Sequence, residues 1–224
     1  MTAVAQPVRA AMSIGFRIKS GYAIAVVLAG PAKAPTVVAR RIVDLCDPDA
    51  LETKQPYHDG FGTEHEDPRE IARRIKIIQR CAKQSVARLL DEVHGTAKSG
   101  GGGAGDTRRA AASAGRSDVR AGLVVGSVID PQQVGNPHIR AHANEGKLFR
   151  TVVADALESH GIRCDVIVEK QLAASASAGL GRSDGDIKKA LAAFGKTIGG
   201  PWRAEEKAAA TAAWLALGPS GRSK

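Results

Sequence analysis

The chain has 224 residues, 43% of them hydrophobic, and a formal net charge of +9. It is long enough to bury a full core as one large domain, and no uninterrupted apolar run approaches the ~18 to 20 residues of a membrane-spanning helix. The charge favours a polyanionic partner over the bland alternative of a merely soluble basic protein, because attraction to phosphates needs no specific geometry.

The opening text MTAVAQPVRAAM lacks a charged start followed by an apolar block, so a soluble, cytoplasmic protein with a flexible N-terminus over residues 1–11 is expected. Ser13 to Leu28 then reads as two strands around a turn, yet Arg17 stands in the middle of the first one. Pro35 to Leu45, PTVVARRIVDL, is a third strand, and the short connections make the three an antiparallel meander.

Asp67-Pro68-Arg69-Glu70 is a helix start: Asp67 can cap, Pro68 fits the first turn and Glu70 can complete a capping box. The predicted helix runs to about Val93 and stops at Gly95. Ile71, Ile75, Ile78, Ala82, Val86, Leu89 and Val93 recur at three- and four-residue steps, which makes one apolar face to pack on the sheet. Cys81 lies near that face. Roughly opposite, Arg69, Arg73, Lys76, Arg80 and Lys83 form a basic stripe with almost no acid interleaved. At about 1.5 Å per residue the stripe extends ~20 Å, which matches a phosphate backbone; the alternative is a solvated helix face. Gly95 to Asp118, rich in Gly, Ala, Ser and Arg, is expected to be a flexible loop, and Arg108, Arg109, Arg116 and Arg120 in and after it add a second basic contact.

Ala121 to Ile129 and Arg163 to Glu169 are two further strands. Their continuous apolar runs, Leu123 to Val125 and Val166 to Val168, suit central strands covered on both faces. Between them, a helix beginning at Asn136 and Pro137 would place His138, His142 and Glu145 on one face, a spacing a zinc ion could use. Asn144 and Gly146 speak for a polar loop instead, and His138, Arg140 and His142 could equally approach phosphate. Gly199-Gly200-Pro201 marks a turn before the last helix, which ends near Leu217, and residues 218–224 read as a flexible tail. Cys46, Cys81 and Cys164 lie far apart without a CxxC pair, so neither a zinc site nor a disulfide framework is indicated by them. No GxxxxGK[ST] element exists, which leaves a P-loop nucleotide site unsupported. Strands that alternate with helices give an α/β class with a mixed sheet.

In this order the motifs resemble the RuvC-like branch of the ribonuclease H-like superfamily, particularly the YqgF proteins. Ser13-Ile14-Gly15-Phe16 followed by Gly21-Tyr22-Ala23 is similar to the family's Gly-x-Asp strand, turn and Gly-x-Ala strand. Val124-Val125-Gly126 takes the place of its VVG strand end, and Glu169-Lys170-Gln171-Leu172-Ala173-Ala174 falls where a DERLTT-like stretch would. Glu205-Glu206-Lys207-Ala208-Ala209-Ala210 looks like the start of its last helix. The resemblance covers residues 12–217 and implies a single ribonuclease H-like domain. Its fold would be a mixed five-stranded sheet, an antiparallel meander then parallel strands, flanked by helices.

Family nucleases hold two divalent ions with clustered carboxylates, which supply a hydroxide and stabilise the leaving oxygen. Here Arg17 falls where the first-strand aspartate is expected, and a guanidinium cannot replace an oxygen ligand of a hard ion. Gly126 and Ser127 stand where RuvC-type enzymes carry a glutamate, with Asp130 a little downstream. Glu169, Glu205 and Glu206 have positional counterparts, although Glu169 also suits an ordinary strand end and Glu205 and Glu206 also complement a helix dipole. A guanidinium at this place could pair with Glu169 or Glu206, or bind phosphate. The expected function is therefore binding of DNA or structured RNA by a Holliday junction resolvase-like protein with a degenerate site. Arg17, Lys19, Arg69, Arg73, Lys76, Arg80, Lys83 and Arg140 are the candidate contacts, and no cofactor is assigned. One alternative is a nuclease dependent on Mg²⁺ or Mn²⁺ that uses Glu169, Glu205, Glu206 and Asp130 in a shifted site. Another is an interaction subunit that forms a homodimer or larger assembly.

Overall fold

The computed structural model describes residues 11–59, 63–98 and 119–218. The expected flexible segments 1–11 and 218–224 fall almost wholly outside these residues, as does the Gly-rich stretch after residue 98. β1 (Met12–Lys19), β2 (Tyr22–Ala29) and β3 (Thr36–Asp44) are followed by a one-turn 3-10 helix, Leu51–Lys54, and the two-residue strands β4 (His58–Asp59) and β5 (Thr63–Glu64). Then come α1 (Pro68–Lys98), β6 (Val119–Val125), α2 (Pro137–Glu158), β7 (Cys164–Val168), α3 (Leu172–Leu180), α4 (Asp184–Ile198) and α5 (Ala204–Leu217). The main sheet has the order β3-β2-β1-β6-β7. β1, β2 and β3 pair antiparallel, while β1–β6 and β6–β7 pair parallel. This is the expected mixed five-stranded α/β sheet, with an antiparallel meander, then parallel strands, and helices on both faces.

The period-2 alternation of the strands assigns the two faces. Ile14, Phe16, Ile18, Ala23, Ala25, Val27, Ala121, Leu123 and Val125 point to one side and are buried with Ile78, Ala82, Val86, Leu89, Leu90 and Val93 of α1 and Phe149, Val152, Val153 and Leu157 of α2. Ile24, Val26 and Leu28 point to the other side and meet Ile187, Leu191 and Phe194 of α4 and Ala209, Ala210, Ala213 and Trp214 of α5. α5 owes its position to small residues. Gly15 and Gly122 are register partners on β1 and β6. A Cβ on Gly15 would lie 1.8 Å from the Ala209 carbonyl oxygen, and one on Gly122 would lie 2.9 Å from that of Ala212. Glycine under an alanine-rich helix lets the two backbones touch, and Ser13 Oγ ties them by donating to the Ala213 carbonyl at 2.7 Å.

Three boundaries differ from the sequence expectation. α1 continues through Gly95 to Lys98, because a single glycine costs a helix only about 1 kcal/mol relative to alanine and no proline follows to stop it. β6 ends at Val125, which leaves Val128 and Ile129 exposed. β7 is an edge strand with Val166 44% exposed, so an apolar run there does not mark a central strand.

Candidate functional site

The parallel register puts Arg17 of β1 beside Val124 of β6, and Val124 beside Ile167 of β7, so the strand carboxyl ends form one rim. Ligands of open α/β sheets bind at such rims. Arg17 follows Ser13 and Gly15 on the face covered by α5, and only 7% of it is exposed. Its Nη1 donates to the Ile18 carbonyl at 3.1 Å and to the Val124 carbonyl at 3.5 Å. Its Nη2 donates to Glu169 Oε2 at 2.5 Å. Glu169 opens a 3-10 turn at the end of β7 and has a half-exposed side chain. Of the partners the sequence left open for Arg17, which were Glu169, Glu206 and phosphate, the fold gives it Glu169.

Glu206 has a different cation. In the first turn of α5 its Oε2 accepts from the Arg203 backbone amide at 2.8 Å, the carboxylate half of a capping box. Its Oε1 accepts from Arg40 Nε at 3.0 Å and Nη2 at 2.6 Å. Burial pushes the Glu206 carboxyl up, but the Arg40 guanidinium and the backbone amides outweigh it and hold the group below its ordinary range. Glu205 is paired more loosely, 3.8 Å from Lys19 Nζ. Asp130 is exposed and accepts from the Gln132 backbone amide at 3.3 Å, capping a 3-10 turn five residues beyond β6. Three carboxylates expected around a metal thus each face a cation, and among the described residues Glu169, Glu205, Glu206 and Asp130 do not gather into a ligand set.

The basic stripe of α1 is split in two. Arg69, Lys76 and Lys83 follow one another at seven-residue steps, are exposed, and make no ion pair among the described residues. Arg73 donates to Glu70 at 2.8 Å and to Glu52 at 2.6 Å, and Arg80 to Asp47 at 3.3 Å. The stripe with almost no acid interleaved in the sequence gains acids in the fold, since Asp47 and Glu52 reach it from the β3–α1 connection. Hydrogen bonds from Arg73 and Arg74 hold the Glu70 carboxyl down at about 2. Arg140 is likewise paired within the fold, donating to Glu64 Oε1 at 3.1 Å and Oε2 at 2.5 Å. Arg108, Arg109 and Arg116 lie outside the described residues, and Arg120 donates to the Gly218 carbonyl at 2.8 Å.

The ionisable side chains of Arg74 and His58, both buried, escaped the sequence reading. Arg74 sits on the inner side of α1 and donates to the Pro56 and His58 carbonyls, both at 3.2 Å. His58 is buried against Glu145, which α2 supplies together with His138 and His142. The signal available for α2 was Asn136, whose side chain does cap the helix by accepting from the Ile139 amide at 3.1 Å.

No family model and no curated protein matches the sequence. Among solved structures, RuvC of Thermus thermophilus superposes with a TM-score of 0.46 at 9% identity, covering 91% of this chain and 92% of that chain. T. thermophilus RuvC in complex with a Holliday junction substrate gives a TM-score of 0.44 at 10% identity, covering 92% of this chain and 91% of that chain.

Proposed function

We propose that the chain is a single ribonuclease H-like domain over residues 12–217, of the RuvC/YqgF type, that binds DNA or structured RNA without two-metal catalysis. The observation that carries this reading is the buried Arg17 guanidinium bonded to Glu169 at 2.5 Å. A carboxylate so held, at the rim where a metal ligand would be needed, is neutralised by a permanent cation. Arg40 does the same for Glu206. Three free cysteines suit a reducing compartment such as the cytoplasm.

The contact surface follows from the unpaired row on α1. Arg69, Lys76 and Lys83 lie fourteen positions apart from first to last, about 21 Å at 1.5 Å per residue, are exposed, and make no ion pair among the described residues. Binding of duplex or branched DNA, measured by fluorescence anisotropy over a salt series, should weaken linearly in log–log form. The triple charge reversal of Arg69, Lys76 and Lys83 to Glu should lower the slope by about 3, close to one released counterion per contact. Salt-insensitive binding, or none, refutes the reading. Cleavage with Mg²⁺ or Mn²⁺ that Glu169→Gln abolishes would replace it with the nuclease alternative.

A homodimer is a compatible second reading, favoured by one observation. β7 ends the sheet, and Val166 is exposed on that edge. Light scattering of the native chain against Val166→Lys tests it, with a shift from dimer to monomer expected.

A further inference from the structure

Four side chains that play no part in the Arg17–Glu169 pair converge where α2 meets the β4–β5 hairpin. His138 and His142, four residues apart, occupy one face of the first turns of α2, and Glu145 lies one turn further and is 1% exposed. His58 comes from β4, some eighty residues earlier in the chain. The three imidazoles meet edge-on or tilted, with ring centroids 4.4 Å apart for His58 and His142, 4.5 Å for His138 and His142, and 5.3 Å for His58 and His138. One ring nitrogen of each lies within 4.8 Å of the other two.

The carboxylate sets the direction of the His58 ring. Glu145 Oε1 accepts from His58 Nδ1 at 2.7 Å, and its Oε2 lies 3.5 Å from His142 Nδ1. An imidazole that donates through Nδ1 presents Nε2 as a lone pair, and His58 Nε2 is buried without a hydrogen-bond partner among the described residues. A buried unpartnered nitrogen is unfavourable unless something accepts its lone pair. A carboxylate behind a ligating histidine is the usual second support of such a ligand.

The hairpin is anchored as a ligand-bearing element would need to be. Arg74 of α1 holds the backbone on both sides of Tyr57 by its bonds to the Pro56 and His58 carbonyls, and Arg140 of α2 grips Glu64 of β5. His58 is thereby fixed from two helices, while the exposed rings of His138 and His142 remain free to adjust. A tetrahedral ion with ligand bonds of about 2.0–2.1 Å places its nitrogens about 3.3 Å apart, so the adjustment needed is a small ring rotation.

We infer that His58, His138 and His142 form a three-imidazole site for a divalent transition ion of the zinc class, oriented by Glu145. Imidazole nitrogens select such ions over Mg²⁺ and Ca²⁺, which take oxygen. Three protein ligands leave a fourth tetrahedral position on the exposed side for water or an anionic group. The site shares no ligand with the ion pair of Arg17 and Glu169.

The untagged full chain, stripped of metal, should be titrated with Zn²⁺ in competition with a chromophoric chelator and with Co²⁺ followed by its visible absorption. One ion per chain is expected, with the intense Co²⁺ bands of a four-coordinate site. His138→Ala and His142→Ala, both at exposed positions, should weaken binding by more than about 100-fold, while Glu145→Gln weakens it by about 10- to 100-fold and shifts the Co²⁺ bands. Circular dichroism of each variant checks that the fold persists. Failure to bind, or binding that is unchanged in the His138→Ala, His142→Ala double variant, overturns the assignment.

Discussion

Breaking the Arg17–Glu169 pair from its two ends should give unequal losses of stability. The Arg17 side chain is 9% exposed and that of Glu169 49%. Removing one partner of a fully buried pair costs about 3–5 kcal/mol, because the other charge is stranded. In Glu169→Ala the stranded group is the buried guanidinium, which keeps the Ile18 and Val124 carbonyls and gains some water through the opened side. Those compensations bring the cost to about 2 kcal/mol. In Arg17→Met the stranded group is a carboxylate that solvent already reaches, and methionine retains the apolar stem, so the cost falls to about 1 kcal/mol or less. Urea unfolding with a shared m value measures both, and thermal melting should show the first as a loss of about 4–8 °C in a chain of this size. If Arg17→Met costs as much as Glu169→Ala, the buried charge is not what Glu169 compensates, and the reasoning about the rim fails.

Three further outcomes follow from the same geometry. Glu206 titrates below its ordinary range when folded, so its contribution to stability is present above the unfolded carboxylate pKa and is lost as pH falls through the lower folded value; urea midpoints measured from pH 7 down to 3 should fall less steeply on the acid side in Glu206→Gln than in the native chain. Arg73→Glu should weaken DNA binding less than Lys76→Glu in the same anisotropy assay, since Arg73 is engaged by Glu52 and Glu70 and Lys76 is not. Gly15→Ala places a methyl 1.8 Å from a backbone oxygen and should destabilise by more than the about 1–3 kcal/mol usual for overpacking, whereas Gly122→Ala, with a 2.9 Å approach, should stay within that range; chemical denaturation of the two variants ranks them.

Local signals carried much of this fold and less of its polar chemistry. Alternation in SIGFRIKS already put Ser13, Gly15 and Arg17 on one side of β1, and a strand-end Glu169 was visible as a partner. The 3.6-residue period of α1 identified Ile78, Ala82, Val86, Leu89 and Val93, all buried. The same period could not reveal that Asp47 and Glu52 lean onto the basic face, because those acids arrive from a connection with no periodicity of its own. Arg40 has no local signal in the text of β3, and its partner Glu206 lies 166 residues away. Val166 has the text of a central strand and the place of an edge strand, since apolar runs record propensity and not neighbours. His58 carries no local pattern at all. Its meaning comes from a hairpin held by Arg74 and Arg140, which only the folded chain brings together.

The contact of α5 with Gly15 and Gly122 makes the rim a rigid reference frame. Where main chain rests on main chain, there is no side-chain cushion to compress or repack, so the distance from β1 to the middle of α5 is a hard stop. Arg17 and Glu206 hang from the two sides of that stop. Exchanging what the rim displays, a guanidinium for a carboxylate or the reverse, alters its charge without moving its frame, which makes this chain a scaffold on which the chemistry of one edge can be rewritten one residue at a time.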